Sequence, residues 1–113
     1  MASDKSYLDF ILDQLSAAED ITYRAMMGEY LIYCRGKVIG GIYDNRFLVK
    51  PTASARRMMP DAAEELPYPG AKPMLLAEDP DNRELLCALA EAIAAELPEP
   101  KPRRSRKKQE DLL

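Results

Sequence analysis

The two cysteines, Cys34 and Cys87, are the strongest nucleophiles that this sequence offers. The sequence has no histidine, so no imidazole can act as a general base or ligate a metal ion. A thiol becomes reactive only beside an activating cation or base, and two cysteines outside a C-x-x-C spacing form neither a zinc site nor a disulfide framework. We therefore interpret both as small core or near-core residues, and we predict a protein that is not an enzyme and uses no cofactor and no metal.

Acidic residues cluster late in the chain, at Glu78, Asp79, Asp81 and Glu84. A calcium loop needs several oxygen ligands, a glycine at its sharp turn and a distant glutamate, and the sequence supplies neither that glycine nor that glutamate. Negative charge at the start of a helix is favoured by the helix dipole. We therefore predict that these residues support a helix N-terminus, with Asp81 and Glu84 spaced like a capping box.

A glycine pair, Gly40-Gly41, lies inside a stretch of strand-forming residues. Phosphate-binding loops carry G-x-G-x-x-G or end in G-K-S/T, and neither pattern occurs here. Glycine inside a strand marks a bulge or the close approach of another backbone. The pair therefore predicts a packing role.

The stretch from Arg24 to Gly28 combines a cation, two methionines and a glycine. In a structural interpretation, Gly28 adopts a backbone conformation that other residues avoid, Met26 and Met27 fill the core, and Arg24 pairs with an acid such as Glu29. In a functional interpretation, the same four residues form a partner-binding edge, with Arg24 as the anchor and the methionines as adaptable contacts. Both interpretations are open at this point.

Charge divides the chain into an acidic body and a basic tail. Residues 1–100 carry 10 Lys and Arg against 17 Asp and Glu, a net charge of −7, whereas residues 101–113 have a net charge of +4. Prolines at 98, 100 and 102 stop the preceding helix, so we predict a folded domain over 1–98 and a disordered tail over 99–113. In one interpretation the tail is only a solubilising segment. In the other it binds the phosphates of nucleic acid weakly and without sequence preference. Its cations are Lys101, Arg103, Arg104, Arg106, Lys107 and Lys108.

The periodicity of apolar residues predicts the elements that hold these groups. In chain order we predict a helix over 4–18, strands over 21–23, 30–34, 37–43 and 46–50, a short helix over 52–59, a strand over 74–77 and a helix over 82–97. Arg35-Gly36 and Asp44-Asn45 are typical of tight hairpin turns, and Pro73 favours an edge position for the strand that follows it. This order, α-β-β-β-β-α-β-α, predicts a two-layer α+β domain with helices packed on a mainly antiparallel sheet.

Four stretches, taken in order, resemble one known family. Residues 22–30 resemble the R-x-M-(aromatic or Met)-G signature of the TfoX N-terminal domain family (TfoX/Sxy-like proteins), and the similarity continues through 36–40, 45–50 and 70–74. The resemblance implies an α+β domain with a regulatory role. The founding members of that family regulate natural competence in bacteria with a cAMP-receptor-type transcription factor, and they carry a second, C-terminal domain where this chain has its basic tail.

The residues and the resemblance together predict a TfoX-like, non-enzymatic regulatory or adaptor protein. We expect it to bind a protein partner or to form a homodimer, because small sheets often cover an edge strand by pairing. A nucleic-acid-associated protein that uses its basic tail is the alternative. No segment approaches 18 consecutive apolar residues and the N-terminus lacks the pattern of a secretion signal, so we expect no membrane contact and a cytoplasmic location.

Overall fold

The computed structural model describes residues 3–77 and 79–98. They form an α+β domain in which three helices accompany one six-stranded antiparallel sheet, as the sequence predicted. The elements are α1 (Lys5–Gln14), β1 (Ile21–Met26), β2 (Glu29–Cys34), β3 (Lys37–Ile42), β4 (Phe47–Val49), α2 (Ala53–Met58), β5 (Glu64–Glu65), β6 (Met74–Leu76) and α3 (Arg83–Glu96). The strand order is β1-β2-β3-β4-β6-β5, so β1 and β5 are the two edges. The tail predicted over 99–113 lies outside the described residues.

The first four strands form a meander because turns of two residues join them. All six turn residues have positive φ, the backbone conformation that matches the twist of a hairpin. Glycine, asparagine and aspartate adopt it more readily than other residues, which is why the sequence predicted two of these turns. The turns are Met27-Gly28, Arg35-Gly36 and Asp44-Asn45.

β1 is longer than the sequence predicted, and it ends at the first of these turns. The sequence predicted a strand over 21–23, but β1 continues to Met26, and Arg24, Ala25 and Met26 pair with residues 29–31 of β2. Ala25 is a poor strand former on its own. The pairing that the Met27-Gly28 turn sets up therefore extends the strand, and only two residues remain in the turn.

The opposite end of the sheet contains a strand that the sequence did not predict. β5 (Glu64–Glu65) lies outside β6, so the predicted edge position of the strand at 74–77 is wrong. Pro73 is tolerated because it precedes the strand, where no ladder hydrogen bond is lost. Glutamate is a poor strand former, and β5 depends on a tertiary contact in which Arg46 donates to the Glu65 carboxylate at 2.6 Å.

The core lies between the helices and one face of the sheet. α3 contributes a stripe of Leu86, Leu89 and Ile93, and α1 contributes Leu8 and Ile11. These spacings place apolar side chains on one helix face, which packs on the sheet. The sheet supplies Ile32, Cys34, Ile39, Ile42, Phe47, Val49 and Leu75.

α3 begins and ends close to the predicted positions. Its N-cap is Asn82 rather than Asp81, and the Asn82 side chain accepts a hydrogen bond from the Leu85 N–H at 3.1 Å. The helix ends at Glu96, because Pro98 cannot continue it.

In the described part of the chain, no group of three or more Cys, Asp or Glu side chains is arranged to hold a metal ion.

The glycine pair lies where β3 comes closest to its neighbours. Ile39 is an extra residue in β3 relative to β2, which makes a bulge. A Cβ atom on Gly40 would lie 2.2 Å from the Leu48 carbonyl oxygen, and one on Gly41 would lie 2.7 Å from the Tyr43 ring. The predicted packing role is therefore confirmed, and it lets Tyr43 lie against the sheet.

Candidate functional site

The hairpin of β1 and β2 carries the four residues singled out from the sequence. Arg24 is exposed and forms no ion pair with any described residue, and Met26 is partly exposed. Met27 occupies the turn itself, and the residue is 98% exposed. The interpretation that the two methionines fill the core is therefore wrong.

The N-terminal segment anchors the tip of this hairpin. The Gly28 carbonyl accepts a hydrogen bond from the Ser3 N–H at 3.0 Å, and Gly28 has a φ of 85°, the special backbone conformation that the sequence suggested. The Glu29 carboxylate accepts from the Ser3 hydroxyl and from the Asp44 N–H. The expected pairing of Arg24 with Glu29 is therefore wrong, because Glu29 joins the N-terminal segment to the next turn instead.

The outer side of β1 offers unpaired backbone groups. The residues on either side of a two-residue turn, here Met26 and Glu29, form a hydrogen-bonded pair. Hydrogen-bonded and non-hydrogen-bonded pairs then alternate along the antiparallel ladder, so the even-numbered residues of β1 bond to β2. The Arg35 N–H, which donates to the Asp20 carbonyl at 3.0 Å, follows the same alternation at the far end. The N–H and C=O groups of the odd-numbered residues Ile21, Tyr23 and Ala25 therefore point away from β2.

A hollow of about 600 Å³ lies at the start of β1, opposite the end that carries Met27. Leu12 and Ala18 contribute apolar walls, and Tyr23, which is 44% exposed, also borders the hollow. The Tyr23 ring meets the Tyr30 ring edge to face, with centroids 6.0 Å apart. One edge strand therefore has an exposed apolar side chain at one end and a concave surface at the other.

A second concave region lies on the opposite face of the sheet and was missed in the sequence. It is a cleft of about 540 Å³ between β3 and the segment 50–52 after β4 on one side and the loop 66–73 on the other. Arg46 holds this loop, because its guanidinium donates to the Glu65 carboxylate and to the Leu66 carbonyl. The three prolines of this loop could have predicted a rigid segment from the sequence. The position of the loop over the sheet could not be predicted, because it depends on the contacts of Arg46.

Neither cysteine lies in either concave region. The Cys34 thiol donates to the Glu19 carbonyl at 3.3 Å, and the Cys87 thiol donates to the Gln14 carbonyl at 3.2 Å. Cys34 is buried, and burial raises the pKa of its thiol, which therefore stays protonated. These positions confirm the prediction of core and near-core residues.

The six basic residues of the tail, from Lys101 to Lys108, lie outside the described residues. None of the helices in the described part is long and apolar enough to cross a membrane.

Comparison with known proteins gives one informative relative. No family model matches the sequence, and no solved structure matches it. The chain is 39% identical over 113 residues to the "Uncharacterized 12.7 kDa protein in trpE 5'region" of Spirochaeta aurantia, and the match covers 96% of this chain and 95% of that protein. The chain therefore belongs to the same protein family as this Spirochaeta aurantia protein.

Proposed function

We propose that this chain is a TfoX-like, non-enzymatic regulatory or adaptor protein of the cytoplasm that acts through protein–protein contact, and that β1 is its contact surface. The observation that carries the proposal is the six-residue edge strand with outward backbone groups and exposed Tyr23 and Met27 side chains. An unpaired edge of this length is a template for an added strand. The occupant that we assign to it is a second copy of this chain.

Self-pairing is favoured by the symmetry of the edge. The outward groups belong to Ile21, Tyr23 and Ala25, which are symmetric about Tyr23. Antiparallel pairing of two copies about a two-fold axis at Tyr23 would let Ile21 of each copy bond to Ala25 of the other. Arg24 would then lie diagonally across from Asp20 of the second copy, within reach of an ion pair.

The same pairing would bring the exposed Met27 of one copy to the hollow at the start of β1 in the other copy. Residue 27 of one copy would lie opposite residue 19 of the other, beside the hollow bordered by Ala18 and Tyr23. The Met27 side chain is flexible and apolar, so it suits an irregular concave surface. A contact that uses the same patch on both copies closes as a dimer rather than growing into a fibre.

A substitution at the turn tests this surface without weakening the fold. Met27→Asn creates an Asn-Gly turn, the pair that such turns prefer, so the free energy of unfolding should stay the same or rise. Two apolar contacts per dimer would be lost, and we expect the dimer dissociation constant to rise at least ~10-fold. Sedimentation equilibrium over a concentration series measures this constant.

Asp44→Asn is the matched control, because Asp44 is also the first positive-φ residue of a two-residue turn, but that turn joins β3 to β4 and does not border β1. Ala25→Pro is a second test, since it removes an outward N–H that β2 does not use, and it should also weaken the dimer. A wild-type chain that stays at 12.7 kDa at every accessible concentration would contradict self-pairing. Equal dimerisation of Met27→Asn and wild type would rule out Met27 as a contact.

The charge division of the sequence favours a second candidate function, nucleic-acid association through the tail. Residues 101–113 have a net charge of +4, whereas the body at −7 would repel phosphates. Such a protein would bind through the tail with the folded body facing away.

A further inference from the structure

The cleft on the second face of the sheet has flat apolar walls. The Tyr43 and Tyr68 rings contact each other at a tilt of 56°, with centroids 6.4 Å apart, and Pro67, Pro73 and Met74 add apolar surface. The loop that forms the outer wall contains a turn at Pro69-Gly70, closed by a hydrogen bond from the Ala71 N–H to the Tyr68 carbonyl at 3.1 Å. A wall built from prolines and a closed turn loses little conformational entropy when a ligand binds.

Of the residues that the structure describes, two lysines, Lys50 and Lys72, line this cleft, and no carboxylate does. Neither ammonium group has an ion-pair or hydrogen-bond partner among the residues that the structure describes. Two acids on neighbouring elements are occupied, because Glu65 binds Arg46 and Glu96 accepts from the backbone of α2. The cleft therefore has positive charge without a protein counter-charge, on a body whose net charge is −7.

Three other hollows on the described surface differ in charge. Each of them includes at least one carboxylate, such as Asp20, Glu29 or Asp79. The combination of apolar walls and uncompensated cations therefore distinguishes the cleft from these three.

Tyr43 gives an independent indication of a ligand. The residue is only 6% exposed, and its hydroxyl has no hydrogen-bond partner among the described residues. A buried hydroxyl without a partner is costly, so most such groups in proteins are satisfied. Burial raises the pKa of the Tyr43 phenol, as does the nearby Tyr68, so the hydroxyl keeps its proton and can donate.

We propose that this cleft binds a small organic acid, with an aromatic body packed against Tyr43 and Tyr68 and a single carboxylate facing Lys50 and Lys72. The cavity volume of about 540 Å³ is within the range of small-molecule sites. A phosphate group is a poorer match, because no arginine of the described ranges lines the cleft, and the N–H groups at the start of α2 already bind Glu96. This site is separate from the β1 edge and does not depend on dimer formation.

Naphthoate is a suitable probe, with naphthamide as the neutral molecule of the same shape. We expect naphthoate to cause saturable NMR shifts in the full chain at residues of the cleft, and naphthamide to bind about tenfold more weakly. The double substitution of Lys50→Gln with Lys72→Gln should reduce naphthoate affinity by about the same factor and leave naphthamide affinity unchanged. Lys5→Gln, which removes an exposed lysine on α1, is the matched control and should change neither affinity.

Three results would overturn the proposal. The first is the lack of saturable naphthoate shifts in a chain whose spectrum shows that it is folded. The second is equal affinity for the acid and the amide, which would show that the lysines do not select a charge. The third is tighter binding of naphthyl phosphate than of naphthoate, which would assign the cleft to a phosphate ligand.

Discussion

Single residues in the left-handed backbone region determine the shape of the meander. Within 3–77 and 79–98, five non-glycine residues have positive φ, and four of them lie in the three hairpin turns. At Met27 this conformation serves no evident folding purpose, because asparagine would adopt it more readily. A methionine at this position is therefore better explained by its exposed side chain than by its backbone.

Substitutions of Gly28 test the backbone requirement of the first turn. Its φ of 85° strains any residue with a Cβ, so Gly28→Val should lower the free energy of unfolding by roughly 1–3 kcal/mol. Gly28→Asn should cost less, because asparagine tolerates this region. Chemical denaturation measures both values, and equal small losses would show that position 28 has no special backbone requirement.

Glu96 gives the protein a pH-dependent contact between α3 and the start of α2. Its carboxylate accepts from the Ser54 side chain and from the Ser54 and Ala53 N–H groups, and these bonds lower its pKa below the ordinary 4.5. A lowered pKa in the folded state means that the contact stabilises the fold above pH 4.5 and is lost as the pH falls through the lowered value.

Glu96→Gln should therefore lower the melting temperature at neutral pH, and the difference from wild type should shrink as the pH falls below 4.5. Thermal melts at several pH values measure this difference. Asp61→Asn is the control, because Asp61 is exposed and has no ion pair with a described residue. A difference that stays constant down to the acid limit would contradict the assigned contact.

At the scale of the element, β5 and the loop 66–73 depend on one arginine. Arg46 reaches from the turn after β3 to Glu65 and to the Leu66 carbonyl, so it ties the far edge of the sheet to the meander. Its guanidinium also donates to the Tyr43 carbonyl, and lysine cannot reproduce three hydrogen bonds in this planar geometry. The contacts of Arg46 therefore position both the loop that forms the cleft wall and the short edge strand β5.

Hydrogen exchange of two neighbouring amides tests this dependence. The Leu76 N–H bonds to the Ala63 carbonyl on the β5 side, and the Ala77 N–H bonds to the Phe47 carbonyl on the β4 side. Arg46→Lys should reduce the protection of the Leu76 amide about tenfold or more, and leave that of the Ala77 amide nearly unchanged. Equal loss at both amides would indicate general destabilisation instead.

At the scale of the whole molecule, an acidic folded body is joined to a basic segment. Residues 101–113 are mostly charged and have no apolar residue before Leu112, so their deletion should change the free energy of unfolding by less than about 0.5 kcal/mol. If the tail binds DNA, the deletion should abolish binding, because the remaining body is strongly acidic. A titration of full-length and truncated chains against duplex DNA at two salt concentrations measures both properties.

The salt dependence of that binding has an upper limit. The six cations of the tail can neutralise at most six phosphates, so the slope of log K against log salt should be no steeper than about −5. Affinity should be the same for unrelated DNA sequences, because the tail has no groups placed to recognise bases. Unchanged binding after truncation would contradict a role for the tail, and no binding by either form would leave protein contact as the function.

The sequence by itself determined the fold class, because its information is local and periodic. The apolar spacing of α3, the paired turn residues at Arg35-Gly36 and Asp44-Asn45, and the stop at Pro98 each depend on neighbours in the chain. Such signals predict which elements exist, and the two-layer α+β arrangement follows from their order.

Only the tertiary structure decided which strands are edges and where the surfaces lie. Pairing partners far apart in sequence extended β1 to Met26, created β5 from two glutamates and moved β6 to the interior of the sheet. The same long-range contacts left Met27 exposed and brought Lys50 and Lys72 to one cleft. Local propensity carries no information about these pairings, because their free energy comes from contacts that form only when the chain folds.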